Sequence, residues 1–104
     1  MKSKTFNIKT SIDKSLNEQT LIIEGDLGII NALGIKKTIQ TMNFSGDSVI
    51  MHVRNVEKLD ITFIQTIRAF RKALDRDGKK TSMILELPLE IERLLNNTGF
   101  DNRL

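Results

Sequence analysis

The sequence contains no cysteine, tryptophan or tyrosine, and it has one proline and one histidine. Without cysteine the chain cannot form a disulfide, a thiolate metal site or a cysteine nucleophile. Its only aromatic residues are five phenylalanines, so we expect a mostly aliphatic core. His52 has no cysteine with which to share a metal, and we expect its ring to pack as a structural residue of a strand. We therefore expect no metal and no cofactor.

Long hydrophobic runs are also absent, and neither sign of charge is in large excess. The 104 residues are 39% hydrophobic and 28% charged, with a net charge of +3 spread along the chain. This composition predicts one globular domain covering residues 1–104. No segment is long enough to span a bilayer, and no apolar run follows residues 1–4 as a signal peptide requires. We expect a cytoplasmic protein without membrane insertion.

The hydrophobic pattern predicts an α/β domain with the element order β-β-α-β-α-β-α. Alternating or β-branched runs predict strands near residues 6–12, 20–25, 49–53 and 81–87, and apolar stripes of helical period predict helices from residues 28, 61 and 88. Strands that alternate with helices favour right-handed crossovers. We expect a mixed, mostly parallel sheet packed against helices, with the first strand added antiparallel.

The helix ends carry recognisable signals. Asp60 is a predicted N-cap, because its short carboxylate can accept hydrogen bonds from free N–H groups at a helix start. Gly78 is expected just past the end of that helix. Pro88 is expected at the first position of the last helix. We expect that helix to bury Ile91, Leu94 and Leu95 and to end at a cap formed by Gly99 and Phe100.

No group of residues has the pattern of an active site. Asp60 has no second carboxylate or histidine beside it in sequence, and the cap role explains it more simply. The turn at residues 25–28 lacks the spacing of a phosphate-binding loop. We expect no catalytic residue and no enzyme. Four basic residues form a ridge along the second predicted helix: Arg68, Arg71, Lys72 and Arg76. No aromatic residues are interleaved with them, so the ridge is more typical of a solvated helix face than of a nucleic-acid site.

Three local patterns, taken in their order and spacing, resemble the STAS domains. This group includes bacterial anti-sigma factor antagonists and the cytoplasmic tails of sulfate transporters. The run Leu-Ile-Ile-Glu-Gly-Asp-Leu at residues 21–27 is similar to the family's second strand and its Gly-x-Leu turn. Residues 49–63 are similar to its strand, loop and Asp-Ser-Ser/Thr-Gly helix start. Residues 77–100 are similar to its ending of glycine, strand, proline, helix and Gly-Leu/Phe.

The resemblance implies a regulatory protein without catalysis of its own. In anti-sigma factor antagonists, the serine after the aspartate is phosphorylated by a partner kinase that is also the anti-sigma factor. The unmodified antagonist binds that kinase and frees the sigma factor. A phosphate at this helix start adds about two negative charges, which can block a fitted interface by repulsion and bulk.

The sequence departs from the family pattern at three positions. Asp60 matches, but Ile61 occupies the phosphoacceptor position and cannot be phosphorylated. Phe63 replaces a small glycine, and Gly28 stands where many antagonists carry an acidic residue. Thr62 matches the next family position and is the alternative phosphoacceptor. For Ile61, inward packing and contact with a partner both remain open, whereas Phe63 lies on the apolar stripe and is expected to pack inward.

We therefore expect a protein-protein interaction module that is not phosphorylated at the usual position. The resemblance implies a partner that is an anti-sigma kinase-like protein or a subunit of an ATP-driven lipid transporter. Alternatives are a phospho-switch at Thr62 and a small basic nucleic-acid-binding protein. Since the chain ends at Leu104, where longer relatives continue, self-association through an uncovered sheet edge is a further expectation. The expected partner-binding surface consists of Gly25, Asp26, Leu27, Gly28, Asp60, Ile61, Thr62 and Phe63.

Overall fold

The computed structural model describes the backbone of residues 5–97 and the side chains of residues 5–94. Its element order is β-β-α-β-α-β-α, and the predicted α/β class is confirmed. A short 3₁₀ helix, Ile29–Asn31, leads into the first α-helix. The elements are β1 (Phe6–Asp13), β2 (Glu18–Leu27), α1 (Ala32–Thr41), β3 (Ser48–Leu59), α2 (Ile61–Arg76), β4 (Lys80–Leu85) and α3 (Leu89–Asn97).

The four strands form one mixed sheet in the order β1-β2-β3-β4. Strand β1 pairs antiparallel with β2, whereas the β2–β3 and β3–β4 pairs are parallel. This confirms a sheet that is parallel in two of its three pairings, with the first strand added antiparallel. Because β2, β3 and β4 follow one another across the sheet, two right-handed crossovers place α1 and α2 on the same face.

The core lies between that face of the sheet and the helices. Alternate strand residues are fully buried there, among them Leu21 and Ile23 of β2 and Met51 of β3, together with Ile35 of α1 and Ile67 of α2. The core is aliphatic apart from Phe63 and partly buried phenylalanines. Among the described residues, no helix is long and apolar enough to cross a membrane.

Most predicted boundaries differ from the structure by one or two residues. Strand β2 is Glu18–Leu27, so residues 25–27 of the predicted turn belong to the strand, and β4 is Lys80–Leu85. Two other differences have a clear cause. Strand β3 continues to Leu59, well past the predicted end at residue 53, because Val56 is buried again after the exposed Asn55. Asn55 has a positive φ of 50°, and the β2–β3 register shifts near it, so the strand bulges and then resumes pairing. Helix α3 begins at Leu89, one residue after Pro88, whose carbonyl accepts the Glu92 N–H at 3.0 Å.

The burial predicted for α3 is wrong at one position. The helical spacing predicts a buried Leu94, but its side chain is 65% exposed, whereas Ile91 is partly buried against the core. The predicted cap at Gly99 and Phe100 and the side chain of Leu95 lie outside the described residues. Leu94 therefore adds to the apolar surface of the protein and does not pack in its core.

Candidate protein-binding surface

A single residue, Asp60, separates β3 from α2. Its backbone is extended, with φ −121° and ψ 154°, and its N–H donates to the Leu27 carbonyl at 3.1 Å. The Asp60 carboxylate accepts the Thr62 N–H at 2.9 Å, and the Asp60 carbonyl accepts the Phe63 N–H at 3.0 Å. The predicted N-cap is confirmed, and the cap ties the start of α2 to the end of β2.

The cap is an ionised carboxylate at the positive end of a helix. Hydrogen bonds from the backbone N–H and then the side chain of Thr62, with a smaller contribution from the Ile61 N–H, lower the pKa of Asp60 below its usual value near 3.8. Negative charge is favourable at this end of a helix. The carboxylate therefore stays charged at neutral pH and holds the first turn of α2 in place.

Ile61 is the first residue of α2, and its side chain is 41% exposed. Phe63, two residues later, is 1% exposed and lies in the core. The side chain of Leu27 is also fully buried, so neither Phe63 nor Leu27 offers a side chain to a partner. Of the apolar residues expected at the interface, only Ile61 presents its side chain to the surface.

Thr62 is partly buried and lies against the Asp60 carboxylate. Its N–H donates to that carboxylate at 2.9 Å, and its side chain helps to lower the pKa of Asp60. A phosphate on the Thr62 hydroxyl would place negative charge beside that carboxylate. The geometry therefore favours Thr62 as a residue that supports the helix start.

The end of β2 and the turn that follows it are held by local hydrogen bonds. Asp26 is 6% exposed, and its carboxylate accepts the Gly28 N–H at 2.9 Å, while its carbonyl accepts the side-chain amide of Asn31 at 2.9 Å. Gly25 has a φ of +103° and lies against the Thr5 carbonyl. Gly25 and Asp26 therefore stabilise the local backbone, and the partly buried Gly28 lies nearest to the junction of β3 and α2 at Asp60.

Exposed apolar side chains lie around the junction of β3 and α2. A surface cavity of about 380 Å³ is lined by Gly28, Ile29, Leu59, Asp60 and Leu94, among others. Ile29 is 63% exposed. We call Ile29, Asp60, Ile61, Thr62 and Leu94 the α2-start surface. Sequence reasoning missed Ile29 and Leu94, because nothing in the local pattern shows that the 3₁₀ turn and α3 meet beside Asp60.

Two other sequence candidates lie elsewhere. His52 is partly buried on the sheet face away from α1 and α2, with Nε2 3.1 Å from Glu86 Oε2, although the contact lacks hydrogen-bond geometry. Arg68, Arg71 and Lys72 line a separate cleft on α2 together with Asp75. The structure therefore places neither His52 nor the basic ridge at the α2-start surface.

Comparison with solved structures identifies the fold. The anti-sigma factor antagonist STAS domain from Rhodobacter sphaeroides superposes with a TM-score of 0.66 at 18% identity, covering 79% of this chain and 89% of that one. An anti-sigma factor antagonist from Mycobacterium paratuberculosis gives 0.71 at 13% identity, covering 92% and 80%. SpoIIAA in its unphosphorylated form gives 0.62 at 14% identity, covering 89% and 81%.

The chain has a STAS-like fold. No protein-family profile matches the sequence, and no curated protein matches it. The likeness therefore lies in the arrangement of the elements, while most side chains have diverged. In this STAS-like chain the helix start is kept and capped, and the side chain next to the cap is an isoleucine.

Proposed function

We propose that this chain is a non-catalytic regulatory module that binds a protein partner through the α2-start surface. The observation that carries the proposal is the partly exposed Ile61 directly after a capped helix start. Asp60, the residue before it, lines one cavity with the exposed Ile29 and Leu94 and with the charged Glu57 and Lys58. Exposed apolar side chains grouped in this way are typical of interaction sites in soluble domains.

The proposed binding is independent of phosphorylation. Ile61 has no group that accepts a phosphate, and a phosphate on Thr62 would lie beside the charged Asp60 carboxylate, which accepts the Thr62 N–H. A neutral, apolar contact point suits an interface that is formed whenever both partners are present. The similar structures named as anti-sigma factor antagonists support an anti-sigma kinase-like partner over a transporter subunit.

Affinity capture with a charge-bearing variant tests this proposal. The tagged full chain and its Ile61→Asp variant would be used to capture partners from cells of the source organism, with quantitative mass spectrometry as readout. We expect the variant to lose its specific partner at least about tenfold, because a carboxylate would be buried unpaired in an apolar contact. Ile61 is exposed, so the fold should persist, as circular dichroism can check.

Ile84→Asp is the matched control. Ile84 is 46% exposed, close to Ile61, but lies on β4 and on the opposite face of the sheet from α2. The control variant should capture the same partner as the unchanged chain. Equal capture by the Ile61→Asp variant and the unchanged chain would place the interface elsewhere and refute the proposal.

A further inference from the structure

A second apolar surface lies along the helices. A groove of about 670 Å³ runs between α1 and α2, from Ile29 and Thr62 at one end to Gln40 and Ala73 at the other. Eleven helical steps separate Thr62 from Ala73, so the groove is about 16 Å long. Its lining is mostly apolar and includes Leu33, which is 63% exposed. The groove is open along its outer side.

Positive charge flanks this groove on both sides. Lys36 lines it from α1, and Lys37 lies four positions after the lining residue Leu33, which makes the two neighbours on the helix surface. On α2, Lys72 and Arg76 follow the lining residues Ala69 and Ala73 by three positions, which makes them neighbours on the helix surface. All four cations are exposed, and none of the lining residues is acidic. The groove is therefore an apolar floor between two basic rims.

The side of the groove formed by α2 has the repeat of a helix-packing seam. Among its residues, Thr62, Thr66, Ala69 and Ala73 are spaced four, three and four apart, the pattern by which helices pack side by side, and Gln65 and Phe70 lie beside them. The Thr66 hydroxyl donates to the Thr62 carbonyl at 2.9 Å, so this polar group is already satisfied. Small side chains at these positions let another helix approach closely.

We propose that this groove binds an amphipathic helix of a partner protein whose apolar face is flanked by Asp and Glu. Leu33, Ala69 and Phe70 supply the apolar contact, and the basic rims meet the acidic flanks of the incoming helix. The seam repeat and the open outer side fit a helix better than a single acyl chain, which gains most from an enclosed tunnel. The proposal does not rest on partner binding at Ile61.

A designed peptide tests the groove directly. The probe is a fluorescent, side-chain-stapled helix of about 14 residues, roughly four turns, with Leu and Ala on one face and Glu on both flanks. The comparison peptide carries Lys at each Glu position. Binding to the full chain would be measured by fluorescence anisotropy at low salt. We expect the acidic peptide to bind at least about tenfold more tightly than the basic one.

Variants of the chain make the test specific. A double Lys36→Glu and Lys72→Glu variant should reverse the preference to the basic peptide, whereas Lys14→Glu with Lys80→Glu, which changes the net charge equally, should not. Ala69→Gln keeps a good helix former but fills the groove, and it should weaken the acidic peptide about tenfold or more. The groove shares Ile29 and Thr62 with the α2-start surface, but Ile61 does not line it. Ile61→Asp should therefore weaken peptide binding much less than Ala69→Gln does, which distinguishes the groove from the contact at Ile61.

Several results would overturn the proposal. Equal affinity for the two peptides, or undiminished binding by the Ala69→Gln variant, would show that the groove does not select an acidic helix. Binding of neither peptide would do the same. The groove would instead be assigned to an anionic lipid if the chain bound fluorescent dodecanoate or phosphatidylglycerol vesicles and not the peptide, and if the Ala69→Gln variant lost that binding.

Discussion

Asp60 is the residue on which the junction between β3 and α2 depends. It contributes its N–H to Leu27, its carbonyl to the first turn of α2 and its carboxylate to Thr62. One residue thereby fixes the direction in which α2 leaves the sheet, through two backbone groups and its carboxylate. The exposed Ile61 owes its position to that geometry, because it is the first residue after the cap.

Replacing Asp60 by alanine should therefore lower the stability of the whole domain. We expect a loss of about 1 kcal/mol at neutral pH, the usual cost of removing a helix N-cap. Asp60→Asn should retain most of that stability, since the asparagine side-chain oxygen also caps helices. Urea unfolding followed by far-UV circular dichroism measures both, because the chain has no tryptophan or tyrosine for fluorescence. A full loss in the asparagine variant would contradict the capping role.

The cap could be predicted from the sequence, but its apolar surroundings could not. An aspartate before an amphipathic run is a local signal, and Asp60 carries it. The approach of Ile29 and Leu94 to Asp60 depends on how distant segments pack, which local periodicity does not encode. The spacing of Leu94 predicts the buried face of α3, yet that helix lies at the margin of the core and leaves the side chain exposed.

Strand β3 shows a similar limit of sequence reasoning for a whole element. Its first half is a continuous apolar run that predicts a strand, whereas its second half contains Arg54, Asn55, Glu57 and Lys58. Glu24 of the neighbouring strand accepts hydrogen bonds from Arg54 at 3.0 Å and Asn55 at 2.6 Å. Pairing between strands thus stabilises a polar segment whose own composition is typical of a loop.

Two glycines with positive φ should differ in how they tolerate alanine. Gly25 and Gly78 both have positive φ, +103° and +81°. At Gly25 an added Cβ would lie 2.5 Å from the Thr5 carbonyl oxygen, whereas at Gly78 nothing lies within 4 Å. Gly78→Ala should cost about 1 kcal/mol for its backbone conformation alone. Gly25→Ala should cost more, roughly 2–4 kcal/mol, because β1 must also move.

Chemical denaturation of the two glycine variants measures this difference. Similar losses for both would show that β1 moves away from Gly25 at little cost. The comparison is informative because each variant adds the same methyl group at a residue with positive φ. It isolates the close approach of β1 to the end of β2, which positions the turn beside Asp60.

The architecture of the molecule as a whole was the most predictable feature. The alternation of strands and helices predicts right-handed crossover connections, and these connections place α1 and α2 on one face of the sheet. The strand order β1-β2-β3-β4 could not be predicted from the sequence, since several orders satisfy the same pattern. Both sheet edges, β1 and β4, are unpaired within the described residues, and self-association through them stays a prediction.

Acid should destabilise the domain through carboxylates in three separate regions. Hydrogen bonds lower the pKa values of three carboxylates. Ser15 and Leu16 donate to Asp13, Asn55 and Arg54 donate to Glu24, and Thr62 donates to Asp60. A carboxylate with a lowered folded-state pKa adds stability above its unfolded value, near 3.8 for Asp and 4.5 for Glu. That stability is lost as the pH falls through the folded-state pKa. We therefore expect the free energy of unfolding to decline below about pH 4.5.

Glu24→Gln separates one of these contributions from the others. The variant should be less stable than the unchanged chain at pH 7 and should lose less stability on acidification, because its side chain cannot be protonated. Urea unfolding at several pH values between about 7 and 3 measures both effects. An unchanged acid dependence would show that the contacts of Glu24 with Arg54 and Asn55 do not favour the charged form.

The uneven charge of the two sides of the sheet has a consequence for how the molecule meets other molecules. Helices α1 and α2 carry six cations and one anion. On the opposite side, two carboxylates, Glu24 and Glu86, offset Lys9 and Arg54. The chain therefore has an electric dipole moment whose positive end is the helix side. Such a dipole turns a diffusing protein before contact, so an acidic partner meets the helices first, at a rate that falls as salt screens the field.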